Sequence, residues 1–486
     1  MTTALILIPL VGALLVWLAP IPEVVRRWFG LDTGLLAFVV MCGLIGAFAG
    51  AAYGFDFASE EIQYETQWSW FDDLGISFHV GLFGFSLWLI GLTIVVGTAA
   101  IAYGIWAGRE RPRAYYGLML FLVGSLVGVF SSQDLLVFYA FFEAMLIPIY
   151  VLVGVWGGPG RVKATITFVI YTMAGSLLML AAVVAFGVTQ GTFDLLDAGT
   201  SDNTLVMLGF LAAFAVKAPL LPFHGWLRSA YTESTHEVAA LLSGVVSKAA
   251  VYGMIWIVLR HFPEPVADLR GFVLVVASLT LVYGSVLAFR QPDARGVIAY
   301  SSMGQMGLIT LGVFAANDLG LDGAVLHSVS HGLVSAALFL LAAMIERRTG
   351  TGELAALGGM ARGRPALATL VMVVGMFTLA VPGSSNFAGE FAILAGAFDR
   401  GWGYAAVGAL AIVLAALYAL RLISALLHRE RGSAGRGDGG DLSWSEIGLV
   451  APLVALLVAL SVWPAGISGN SFPGDRPQET IEAVEP

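Results

Sequence analysis

Phe214-Ala215-Val216-Lys217-Ala218-Pro219 interrupts an apolar run near 204–223. A lysine at the centre of such a run costs about 2.5–3.5 kcal/mol on insertion scales. The proline two residues on removes a backbone donor and clashes with the preceding turn. At bilayer depth the freed carbonyls need partners from protein or water. The run is read as a transmembrane helix broken at mid-membrane beside a charge. A second break reads Leu379-Ala380-Val381-Pro382-Gly383-Ser384-Ser385-Asn386. Discontinuous helices at matching positions of two halves mark ion-moving membrane proteins built from repeats.

The rest of the chain has the same character. Its 486 residues are 58% hydrophobic and 12% charged, against about 25% charged in soluble domains. Further apolar runs lie near 3–20, 30–54, 80–107, 114–131, 134–156, 163–187, 238–260, 267–290, 296–316, 320–345, 366–397, 402–427 and 447–468. Blocks of that length cross a hydrocarbon core about 30 Å thick. The expectation is an all-α polytopic membrane protein of about fourteen helices. It forms one transmembrane domain over 1–468, with a polar outer tail over 469–486. The first run lacks a basic flank before it and is read as a retained helix rather than a signal. A net charge of −9 offers no basic surface to nucleic acid. The single cysteine, Cys42, excludes a disulfide or iron–sulfur site within the chain. No phosphate loop or nucleophile elbow appears.

Basic residues test the helix count. Seventeen of the 24 lysines and arginines fall in odd-numbered loops: 26, 27, 109, 111, 113, 161, 163, 228, 290, 295, 347, 348, 362, 364, 429, 431 and 436. Even loops and the tail hold only Arg260, Arg270, Arg400 and Arg476. The positive-inside rule then sets odd loops in the cytoplasm and both termini outside. The outward loops 55–73 and 188–203 are acidic. A faint repeat runs alongside. Pro219 and Pro382 are 163 apart, and Gln133 and Gln291 are 158 apart. An offset of five spans reverses topology between copies. This implies two inverted five-helix units, roughly 114–260 and 267–427.

Lysine occurs only at 163, 217 and 248, and the last two lie within apolar spans. Arginine stays charged, whereas a desolvated lysine can release its proton. A site that alternates between charged and neutral therefore calls for lysine. Glu143 and Glu390 are likewise stranded in apolar sequence. Glu143 and Lys217 are expected to pair across two helices, their coupling acting as a Coulombic switch in a low-dielectric site. His331, with His327 one turn earlier, is expected to relay protons. The i, i+4 spacing also suits a metal, but no nearby carboxylate or cysteine completes such a site. Tyr300, Ser301, Ser302, Gln305 and Thr310 are candidates to carry a water chain. His224 is placed near the cytoplasmic end of its span. His236 and Glu237 read as solvated loop, and His79, His261 and His428 as ordinary span-end residues.

Several of these stretches resemble the antiporter-like membrane subunits of respiratory complex I. They are Phe142-Glu143-Ala144-Met145-Leu146-Ile147-Pro148-Ile149-Tyr150, the Phe214–Trp226 segment, Ser243-Gly244-Val245-Val246-Ser247-Lys248, Ile298-Ala299-Tyr300-Ser301-Ser302-Met303, Ser330-His331-Gly332-Leu333 and Pro382–Phe391. The resemblance spans about 78–427. It implies fourteen helices, inverted repeats and one proton channel. Glu143 and Lys217 would be the coupling pair, Lys248 the central relay, Glu390 the outlet and His331 the link between the last two. It also implies partners: other antiporter-like membrane-arm subunits within the lipid bilayer. NADH, FMN, iron–sulfur clusters and quinone would sit in other subunits, with no cofactor or metal in this chain. Multisubunit cation/proton antiporters and membrane hydrogenases share much of the pattern. Gln305, Phe83, Arg228-Ser229, Thr235-His236-Glu237 and Arg295 depart from the family's usual residues. The arginine bias and compact loops suggest a bacterial plasma membrane.

Overall fold

The computed structural model describes residues 1–18, 32–71, 74–430, 432–434, 440–472 and 481. Arg26, Arg27, Arg431, Arg436 and Arg476 of the charge pattern lie outside them, as does most of the 469–486 tail.

Eleven of the described helices are long and apolar enough to cross a membrane, so the protein is a multi-pass membrane protein. In chain order the helices are α1 (Thr2–Leu18), α2 (Thr33–Tyr53), α3 (Gly84–Ala107), α4 (Pro112–Val129), α5 (Leu135–Ala144) and α6 (Leu146–Trp156). Next come α7 (Arg161–Gln190), α8 (Thr204–Lys217), α9 (Leu227–Glu233) and α10 (His236–Leu259). Then follow α11 (Pro263–Arg290), α12 (Ala294–Ala315), α13 (Asp318–Thr349) and α14 (Pro365–Thr378). The last are α15 (Ser385–Arg400), α16 (Trp402–His428) and α17 (Trp444–Val462). The eleven count α5 and α6 together as one span, Leu135–Trp156; three further apolar helices are shorter than a full span: α1, α8 and α14. The latter two end where the sequence places its breaks. Short polar side chains start many of the helices. Asp134, Asn203, Asp293, Asn317 and Ser384 each accept a backbone N–H from the first turn beyond them.

The all-α expectation needs one correction. Loop 54–83 contains an antiparallel hairpin, β1 (Gln63–Phe71) and β2 (Ile76–Leu82), with Gln63 opposite Leu82 and Trp68 opposite Phe78. Its backbone continues onto the neighbouring loops. Gly81 N–H donates to Ser131 O at 2.9 Å, Gln133 N–H to His79 O at 2.9 Å, and Leu195 N–H to Gln133 O at 2.7 Å. This ladder ties three loops into one cap at one end of the bundle.

Long-range loop contacts keep to one end or the other. At the arginine-rich end, Arg109 meets Glu237, Arg228 meets Asp293, and Arg348 meets Glu446. At the hairpin end, Gln67 meets Asp194, and Arg400 donates to the carbonyls of Ala315 and Ala316.

Helices α10 and α13 are buried along their apolar length, whereas α2 and α17 are mostly exposed. Small residues let the central pair approach. A Cβ on Gly332 would stand 2.6 Å from the Gly244 carbonyl oxygen, and one on Gly244 would stand 3.0 Å from that of Gly332. Without a hydrophobic force between helices in lipid, such backbone proximity is what packs them. The outward face of α7 presents Ile166, Ile170, Met173, Leu177 and Val184. That is the surface expected against lipid or neighbouring apolar helices.

Candidate functional site

Lys217 is the last residue of α8, where Pro219 and Pro222 stop the helix. Side chains answer the exposed backbone of the break. The Trp226 indole donates to Val216 O at 3.0 Å, and Leu221 N–H donates to the Thr280 hydroxyl at 3.0 Å. The Lys217 ammonium is buried, with no hydrogen-bond partner among the described residues. It stands 4.7 Å from the centroid of the Phe142 ring. A desolvated cation over an aromatic face gains up to about 2 kcal/mol.

Glu143 sits one residue before the end of α5, at the interruption that separates α5 from α6. Its Oε1 is buried and unpartnered among the described residues. Its carboxylate lies within hydrogen-bonding reach of Ser176. The expected direct pair with Lys217 is therefore corrected. No ion pair joins the two, although each lies within electrostatic range of the other. The aromatic ring of Phe142 takes the position beside the ammonium that a carboxylate was expected to fill.

Lys248 lies between two stretches of wider π-helical turn in α10, Leu242–Val246 and Met254–Leu259. Such turns loosen the backbone ladder and cluster at functional sites. Here the Ser243 carbonyl is free to accept from Lys248 Nζ at 2.9 Å. Nζ also lies 2.8 Å from His331 Nδ1 on α13. The Gly244–Gly332 approach holds these two helices close enough for that contact. One distance serves two protonation states: an ammonium donating to Nδ1, or an Nδ1–H donating to a neutral amine.

The line continues along α13. His327 Nε2 lies 2.7 Å from Gln305 Oε1, and Gln305 Nε2 donates to Glu390 Oε1 at 3.3 Å. An amide oxygen only accepts, so His327 carries its proton on Nε2 in this arrangement. The two histidine rings are 6.2 Å apart between centroids. A cavity of about 10 Å³ touches His331, Gln305, Ser301, Ser335, Asn386 and Tyr418. That is close to the size of one water molecule, with polar partners around it. Glu390 lies early in α15, beyond the Ser384 cap, and is buried. A Cβ on Gly389 would stand 2.8 Å from His327 Cβ, so glycine there lets α15 seat against α13.

The structure thus brings Lys248, His331 and Glu390 together and keeps Glu143 and Lys217 as a separate group. Rings of Phe138, Phe142 and Phe214 pack on one another beside Lys217 and reach α10 through Phe138 against Tyr252. Of the hydroxyls expected to carry water, Ser302 is bonded to Ser243 at 2.8 Å. Thr310 and Ser301 bond back to their own helix instead.

Three further readings change. Glu237 is not solvated loop. It is fully buried and takes two bonds from Arg109, at 2.6 and 2.7 Å, and one from the Tyr115 hydroxyl. His236 is bonded to Glu346 at 2.8 Å. His79 is no ordinary span-end residue either. It is buried between Asp194 and Glu65. Burial pushes its imidazole down, but the bonds and charges of Asp194 and Glu65 outweigh this and raise it above its usual value. His327 is the functional candidate that a residue-by-residue reading undervalues. Its signal was the one-turn spacing from His331. Among the described residues no group of three or more histidine, cysteine, aspartate or glutamate side chains is placed so that it could hold a metal ion.

Comparison with known proteins now bears on this geometry. Residues 132–417 match the family model described as NADH:quinone oxidoreductase/Mrp antiporter, transmembrane. The NADH-quinone oxidoreductase subunit M of Rhodobacter capsulatus is 34% identical over 457 residues, covering 90% of this chain and 87% of the relative. A chain of respiratory complex I from Thermus thermophilus superposes with a TM-score of 0.89 at 30% identity, over the whole of both chains. A chain of the Mrp complex from a Dietzia species shares the fold, with a TM-score of 0.83 at 23% identity over 99% of this chain and 98% of that one.

Proposed function

We infer from the match that this chain, which belongs to the NADH:quinone oxidoreductase/Mrp antiporter membrane family, is a proton-translocating membrane subunit of an NADH–quinone oxidoreductase, in the place subunit M takes among its relatives. It works beside other antiporter-like membrane-arm subunits and is one part of an enzyme complex. NADH, FMN, iron–sulfur clusters and quinone are assigned to partner subunits, so the free energy reaches this chain through its contacts.

The observation that carries the mechanism is the buried line Lys248–His331, His327–Gln305–Glu390. Lys248 holds the central proton. His331 takes it through the 2.8 Å contact. The polar cavity, His327 and Gln305 carry it to Glu390. Glu143 and Lys217 act upstream. When their mutual attraction strengthens, Lys217 keeps its proton; when it weakens, the charge on Lys217 is lost or shifts toward Lys248. The aromatic rings packed beside Lys217 make that coupling Coulombic through low dielectric, where it falls off slowly.

The architecture assigned is fourteen spans. The eleven long helices, α1 and the two broken helices around Pro219 and Pro382 support that number. The inverted units 114–260 and 267–427 place one break in each half. The separation of loop contacts by end, together with the arginine distribution, supports a cytoplasmic arginine-rich end and an outer hairpin end, in a bacterial plasma membrane.

Glu390→Gln in the assembled complex tests the relay. The variant keeps an acceptor for Gln305 but cannot hold a proton. Protons translocated per NADH oxidised should fall while the complex remains intact. Unchanged translocation in the intact complex would refute the outlet role.

A further inference from the structure

A second polar cluster lies at the arginine-rich end, and the relay above leaves it unused. His236, at the start of α10, and Glu346, near the end of α13, are 2.8 Å apart. Their side chains keep 17% and 21% exposure. What lies inward of them is sealed: Tyr231, Ser243, Ser302 and Ser335 are all buried. Arg295 faces Glu346, and its guanidinium donates to the carbonyls of Tyr231, at 2.7 Å, and Ser234. Arg295 Nε is buried with no partner among the described residues. The Tyr231 hydroxyl lies within hydrogen-bonding reach of Ser243 and Ser302. The Ser243 hydroxyl is bonded to those of Ser302 and Ser335, and its carbonyl receives Lys248 Nζ. Polar groups thus lie between a partly open carboxylate and the central lysine, with Arg295 joining the two parts through the Tyr231 backbone carbonyl.

We propose that the His236–Glu346 pair is the proton-collecting mouth that loads Lys248 from the arginine-rich face, with Tyr231, Ser302 and Ser243 as the hydroxyl relay. This rests on the reading of Lys248 as a relay group. Four carboxylates face Arg295: Glu346, Asp293, Glu233 and Glu237. Arginines hold two of them, Arg109 on Glu237 and Arg228 on Asp293, and Glu233 accepts the Gly160 N–H. Glu346 is the one whose bonded partner is a histidine, a group that exchanges protons near neutral pH. Tyr103, which lies among Glu237, Arg109, Arg347 and Glu346, and Tyr115, bonded to Glu237, are further titratable neighbours. In this setting Glu346 and His236 capture protons from bulk, and Arg295 fixes the carboxylate by charge. Each hydroxyl passes its own proton inward as it accepts another, so the relay returns to its starting state; water completes the steps from Glu346 to the Tyr231 hydroxyl and from the Ser243 hydroxyl to Lys248, whose amine bonds the Ser243 carbonyl. The proton ends on the neutral amine of Lys248.

A plain structural pair would also join α10 to α13, and two isosteric variants separate the roles. Glu346→Gln keeps an acceptor for His236, and His236→Gln keeps a donor at the Nε2 position for Glu346; neither new side chain exchanges protons at the mouth. In the assembled complex in sealed vesicles, each should lower proton translocation by roughly a hundredfold, the lower end of what a positioned acid–base group supplies. The alkaline fall-off of translocation should move to lower pH, because Lys248 then depends directly on bulk protons. Glu346→Asp should restore it. If Glu346→Gln does not assemble, His236→Gln carries the same test. Wild-type translocation at every pH in the assembled variants overturns the proposal. Lys248→Arg run in parallel distinguishes the failures. If it is inactive while Glu346→Gln is normal, only the mouth is wrong; if both are active, the relay itself is wrong.

Discussion

Gln305 is bonded on both sides, accepting from His327 and donating to Glu390. Gln305→Leu would leave two buried groups short of partners, each costing about 1–3 kcal/mol. Proton translocation by the assembled Gln305→Leu complex should drop several-fold, whereas Gln305→His, which offers a titratable ring in the same place, should retain most of it. Vesicle acidification measured on both variants decides, and equal rates would argue against passage at this residue. Lys217, Lys248 and Glu390 were legible in the sequence because a charge in an apolar run has a definite cost. Gln305 was legible as one of several water-chain candidates and as a departure from the family's usual residue, but its two bonds were not, since those partners lie 22 and 85 residues away. Glu237 and His79 misled for the same reason. A charged residue at a span end reads as solvated until the loops that cover it are in place.

The elements bring these residues together through close backbone contact and deliberate irregularity. The π-helical turns of α10 expose the Ser243 carbonyl to Lys248, and the Gly244–Gly332 crossing sets α13 at the distance that the Lys248–His331 contact requires. A valine at 332 would drive its side chain into the Gly244 carbonyl and Leu92. Overpacking of this kind costs about 1–3 kcal/mol. Gly332→Val is expected to lower the thermal midpoint of the detergent-solubilised complex and to abolish pumping; a stable, fully coupled variant would show that the crossing does not set the contact. The two helix breaks were readable from proline beside charge or glycine. The Lys248 irregularity was not, because glycine, serine and valine over Ser243–Lys248 weaken a helix without specifying a wider turn. The hairpin left a faint trace. Tyr64, Thr66, Trp68 and Trp70 alternate along Gln63–Phe71, but the acidic composition of the loop masked the pattern.

At the scale of the whole molecule, a helical membrane bundle was legible from composition alone, because no soluble fold hides so much apolar surface. Orientation rests on the arginine distribution. A periplasm-active reporter fused after Pro486 should be active and a cytoplasm-active one silent; the reverse pattern would invert the assigned direction of transport. Also at this scale, the buried titratable groups fall into two sets, Glu143 with Lys217 and a line from Lys248 to Glu390, proposed as upstream and downstream, with phenylalanine rings packed beside the first. That division was beyond sequence reading, which paired charges by chemistry and could not see which rings would stand beside them. The account turns on Lys248 losing and regaining a proton. Lys248→Arg preserves the charge and the capacity to donate, yet arginine does not deprotonate in proteins. The direct measurement is protons moved per NADH oxidised by the assembled Lys248→Arg complex in sealed vesicles. The account predicts a marked fall with the complex intact, and a wild-type ratio would contradict it.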